Sequence, residues 1–168
     1  GIDSIAGAAA GTLTGENVNS TWTLDGDGVG DRFYNDGNDE LAFSGFSTLQ
    51  GGSAIDTFDV TDTTTLELRG GDGSDIFNLP ATLSGDIFAE GGLDVINFQG
   101  GSVSGDVDGG TSAELNYSAV GGPISVVVLT PGTIDGYRGT ATFIGGEFNN
   151  ITTVVGSSGD DTLTGGDA

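Results

Sequence analysis

A nineteen-residue recurrence of glycine turn, acid and alternating apolar run constrains this chain more than any other feature. The segments GGSAIDTFDV from Gly51, GGDGSDIFNL from Gly70 and AEGGLDVINF from Ala89 superpose at that spacing, with Asp56, Asp75 and Asp94 in one column. A fourth segment, GGTSAELNY from Gly109, puts Glu114 in the column after a step of twenty. Phe58, Phe77, Ile96 and Leu115 form the next column, and Val60, Leu79, Phe98 and Tyr117 the one after it. Within each segment apolar and polar residues alternate, the period of a strand with one buried face. Leu68, Ile87 and Val107 mark a second short inward strand in each period. A unit of this size cannot bury its own apolar face and must stack on its neighbours. The spacing predicts an all-β fold, a right-handed parallel β-solenoid of 19–20 residues per rung. About eight rungs would make a rod about 40 Å long.

The flanks follow the same grammar at irregular intervals. FSGFSTLQGG from Phe43 parallels FNNITTVVGSSGDDTL from Phe148, where Asp161 falls in the acid column. Further strands are expected at 21–24 and 125–129. The tail Gly166-Asp167-Ala168 and the head Gly1-Ile2-Asp3-Ser4-Ile5 together read as one more acid-bearing turn, with Asp3 as its acid. Residues 1–168 are therefore expected to be a single module, one period of a tandem or head-to-tail array whose partners are copies of itself.

Charge narrows the function. Twenty-five acids against three arginines and no lysine give a net charge of -22, which leaves no basic surface for nucleic acid or anionic lipid. No apolar run approaches the length that spans a bilayer as a helix. The chain begins without the basic start of a secretory leader, so it reads as an internal or processed piece of a secreted chain. It holds no Cys and no His, so oxygen-donor metals are the ones it could bind. Polysaccharide-cleaving enzymes also use parallel β-helices. With only Arg32, Arg69 and Arg138 as cations and no His, the general-base and charge-stabilising groups such chemistry needs are not in view. An enzyme is not expected.

Three other features have a functional and a structural reading. Asp25, Asp27, Asp31, Asp36, Asp39 and Glu40 form an acidic stretch; its Asp-x-Asp opening suits a calcium loop, but Val29 stands where a further ligand belongs, and a solvated side loop is the expectation. Trp22 is expected in the core and not as a sugar platform. Thr61 to Thr65 is expected to be ordinary exposed strand and not an ice-binding face.

GGDGSDIFN, Gly70 to Asn78, resembles the hemolysin-type or RTX nonapeptide G-G-x-G-x-D-x-U-x at every defined position. GSSGDDTLT from Gly156 resembles it with Ser157 in place of the second glycine, and GGSAIDTFD has Ala54 for the third. The long flanks are similar to repeats of giant bacterial surface and adhesin-like proteins. The resemblance implies an extracellular or cell-surface structural repeat. It also implies calcium between successive turns, held by Asp56, Asp75, Asp94, Glu114, Asp161 and the Asp3 of a following turn. Calcium takes six to eight oxygens from carboxylates and carbonyls, and neighbouring carboxylates ~4.8 Å apart repel by roughly 3–4 kcal/mol at an effective dielectric near 20. The residues leave a second reading open, in which each Asp only caps turn amides. For function, the alternative to a structural repeat is a carbohydrate- or ice-binding solenoid module.

Overall fold

The computed structural model describes residues 4–26 and 32–165. These residues form fourteen strands and no helix. The fold is all-β, as the alternation requires.

Two runs of parallel pairing carry the core. The first joins β2 (Ser20–Leu24), β5 (Asp56–Val60), β7 (Ile76–Leu79), β9 (Asp94–Phe98) and the second half of β10 (Val107–Asn116). Its register is Trp22–Phe58–Phe77–Ile96–Leu115, the expected column with Trp22 added at its head. All five side chains are buried. Flat rings stack face to face in both apolar columns: Trp22 on Phe58 at 5.6 Å, Phe58 on Phe77 at 5.0 Å, and Phe98 on Tyr117 at 4.6 Å. Parallel strands at one-rung spacing hold like side chains at the distance where aromatic faces meet.

The second run joins the ends of β1 (Ser4–Thr14) and β4 (Glu40–Gln50), then β6 (Glu67–Arg69), β8 (Ile87–Phe88), the start of β10 and the start of β13 (Phe148–Val155). Leu13, Leu49, Leu68, Ile87, Val107 and Phe148 stand in register along it. Single parallel bridges link Thr64, Leu83, Val103 and Ile144 in a third line, and all four are buried. Strand β10 pairs through its first half with β8 and through its second with β9, so the strand order closes on itself.

Two segments depart from the expected wholly parallel pairing, so the sheet is mixed. Strand β3 (Arg32–Asn35) runs antiparallel between β2 and β4. Its return to β4 is a hairpin turn at Asp36, whose carboxylate accepts the amides of Asn38 and Asp39 at 2.8 Å each, while Gly37 takes φ +88. Strands β11 (Ser125–Pro131) and β12 (Tyr137–Ala141) form a second hairpin, with β12 antiparallel to β13 and β14 (Thr162–Gly165) parallel to β11. Buried Asn150, at φ +58, staples that hairpin's turn to the body. Its Oδ1 accepts the Ile134 amide and its Nδ2 donates to Asp108, both at 2.7 Å.

The glycine turns let successive periods touch backbone to backbone. A Cβ on Gly92 would lie 1.3 Å from the Gly73 carbonyl oxygen, and Gly92 also sits at φ +136, so no other residue fits there.

Candidate functional site

The acid column stands where each strand of the first run begins. Asp56 opens β5, Asp75 precedes β7 and Asp94 opens β9, and all three are buried. Each later carboxylate caps the amide of the acid one period earlier. The Asp56 N–H donates to Asp75 Oδ1 and the Asp75 N–H to Asp94 Oδ1, both at 2.8 Å. Asp56 Oδ1 accepts from the Ser20 hydroxyl and from the Trp22 indole N–H, and its Oδ2 accepts the Gly52 amide at 2.7 Å. Asp161 repeats this geometry elsewhere. Its Oδ1 accepts the amide of Ile124, just before β11, at 3.0 Å, and its Oδ2 accepts the Ser157 amide at 2.8 Å.

Asp75 and Asp94 differ from these two in one respect: Oδ2 of each is buried without a hydrogen-bond partner. At the turn position that Gly52 and Ser157 occupy, Gly71 and Glu90 take left-handed backbone, φ +100 and +69, and no turn amide reaches the acid. Burial raises the Asp75 carboxyl to about 7, with the charges of Asp94, Asp56 and Glu90 adding to it and the Asp56 amide opposing. Burial likewise raises Asp94 to about 6. Exposed Asp161 is held below the ordinary carboxylate range by the Ser157 hydroxyl and the Ile124 amide.

Glu114 does not belong to the column. Asp94 pairs with Ala113, and Glu114 pairs with Val95. Leu115 keeps its nineteen-residue step to Ile96, and strand alternation then puts Ala113 inward and Glu114 outward. Asp3 lies outside the described residues, as do Asp27, Asp31 and the junction of Ala168 with Gly1. Of the six residues the resemblance implied, the structure brings together Asp56, Asp75 and Asp94. Among the described residues no three acidic side chains gather closely enough to hold a metal. A cation in the column would have the two unpartnered carboxylate oxygens and would draw its other ligands from turn carbonyls and water.

A second carboxylate column escaped the sequence reading. The Asp106 amide donates to Asp86 Oδ1, and the Glu147 amide to Asp106 Oδ1, both at 2.8 Å. Its signal was present as Ser84-Gly85-Asp86, Ser104-Gly105-Asp106 and Gly145-Gly146-Glu147, each followed by an inward apolar residue. A third line lies on the outer face of the first run. The Asn78 amide group donates to Asp59 at 2.7 Å and the Asn97 group to Asn78 at 2.9 Å.

The remaining candidates resolve into structure. Trp22 is fully buried. Thr61 to Thr65 form a bend with a single parallel bridge at Thr64, which is buried, its hydroxyl donating to the Gly26 carbonyl. Buried Arg32 donates to that same carbonyl and to the Thr64 hydroxyl. Arg69 lies between Glu67 and Glu90 with its guanidinium 4.5 Å over the Phe88 ring. Arg138 pairs with Glu147. A cleft of about 250 Å³ lies beside that pair, with Phe88, Asp106, Asp108 and Thr133 in its wall. No helix among the described residues is long and apolar enough to cross a membrane. No protein-family model, curated protein or solved structure matches this chain.

Proposed function

We propose that this chain is a structural repeat: a right-handed parallel β-solenoid module, with RTX-like glycine turns, of a bacterial extracellular fibre, sheath, surface layer or adhesin. It performs no catalysis. It extends and stiffens a rod, and its partners along the axis are copies of itself. One observation carries this reading. The carboxylate columns fasten one period to the next in register with the apolar columns, so the polar side chains that recur most regularly are committed to stacking. Small-angle scattering of the chain in solution tests it. The expected particle is a rod about 40 Å long, one rung per ~4.8 Å; a sphere of the same mass would refute the reading.

The unpartnered oxygens of Asp75 and Asp94 favour one addition, calcium between those turns. A ligand that binds only the folded state raises the melting temperature by mass action. Calcium at pH 8 should therefore raise it, and Asp75→Asn should abolish the rise. Equal melting with calcium and with chelator would leave turn capping as the whole role of the column. The cleft beside Arg138 and Glu147 is the place where the alternative, carbohydrate binding, would be sought on a glycan array.

A further inference from the structure

Strand β1 contains no charged residue, and neither do β11, β13 and β14. The topology sets these strands at opposite ends of the parallel pairing. Strand β1 heads the run through β4, β6, β8, β10 and β13 and bonds to β4 alone, and β14 bonds to β11 alone, among the described residues. Apolar side chains come to the surface at the far end: Leu163 is 72% exposed and Tyr137 54%, with Leu129 and Val154 also exposed. Leu163, Tyr137 and Val154 border a cleft of about 220 Å³ with Val128, Phe148 and Ile151 in its wall. At the near end Ile5 and Val18 are exposed, as are Ala6 and Ala8 to Ala10 of β1.

We propose that a second copy of this chain covers these ends, β1 of one copy docking against β14 and the apolar surface beside it on β11 to β13 of the next. Two chains each carrying -22 repel wherever both present acids. They approach at least cost where the facing strands hold no acid; β1 holds none, and β11 to β14 hold only Arg138, paired with Glu147, and expose apolar area to bury. Unpaired strand edges at each pole supply the hydrogen bonds. The contact is head to tail, because the poles differ. This inference rests on the structural reading above and specifies how its copies meet.

Two single variants at exposed positions test it: Ala9→Asp puts a charge on β1, and Leu163→Asp puts one on the far pole. Each should melt within a few degrees of the parent chain, and both should be monomeric by sedimentation at concentrations where the parent self-associates. Mixed in equal amounts, they should form a 1:1 dimer that grows no further, since each variant keeps one intact pole. A parent chain monomeric at high concentration, association of either variant alone, or a mixture that stays monomeric would overturn the inference. Scattering from the monomeric variants separates the two failures. A rod that never dimerises defeats only this contact, whereas a compact sphere defeats the structural reading itself.

Discussion

Among single residues, the carboxyls of Asp75 and Asp94, each with one unpartnered oxygen, have the sharpest consequence. Their folded values, about 7 and about 6, lie above the unfolded value of 3.8. The folded state therefore binds protons more tightly than the unfolded one. The stabilisation is fully present below about pH 4 and is lost as pH rises through 6 to 7. In chelator, the melting temperature should fall between pH 4 and pH 8, and Asp75→Asn should flatten much of that fall; thermal melts by circular dichroism check it. A melting temperature that rises over this interval would show that the two acids are ionised and partnered in solution. Glu114 gives the opposite expectation. Pointing outward, it should tolerate Glu114→Gln within about 0.5 kcal/mol. In Asp56→Ala, by contrast, the buried hydroxyl of Ser20, the Trp22 indole N–H and the Gly52 amide lose their acceptor, at about 1–3 kcal/mol per stranded group. Chemical denaturation of both variants makes the comparison.

At the level of strands, the apolar columns were legible because burial punishes a slip of one residue by turning every side chain to the wrong face. Phe58, Phe77, Ile96 and Leu115 were read correctly for that reason. Glu114 was misread because turn spacing was followed at a point where strand spacing governs. The column of Asp86, Asp106 and Glu147 lies in turns, outside the alternation that a hydrophobic pattern reports. The Asn78 and Asn97 line faces outward, where the pattern records only polarity. The hairpin at β3 had its turn signal in Asn35-Asp36-Gly37, but the crowd of acids around it hid the alternation of its strands. Two predictions belong here. Phe77→Ala opens a cavity between two buried neighbours of its column and should cost about 3–5 kcal/mol in denaturant unfolding. Gly92→Val forces a side chain into the Gly73 carbonyl and should leave no folded protein, as judged by loss of the cooperative melt.

For the whole molecule, the two carboxylate columns differ in the direction of their bonds. In the column of Asp56, Asp75 and Asp94 the later residue brings the acceptor and the earlier one the amide. In the column of Asp86, Asp106 and Glu147 the earlier residue holds the acceptor and the later one brings the amide. The rung from Asp94 to Asp106 therefore offers a carboxylate at one corner and an amide at the other, and both are met by the turn before it. That rung finds both fasteners in the chain before it, and its Asp106 carboxylate in turn takes the amide of Glu147 from the chain that follows, whereas β11, among the described residues, has its strand partners only in the later β12 and β14.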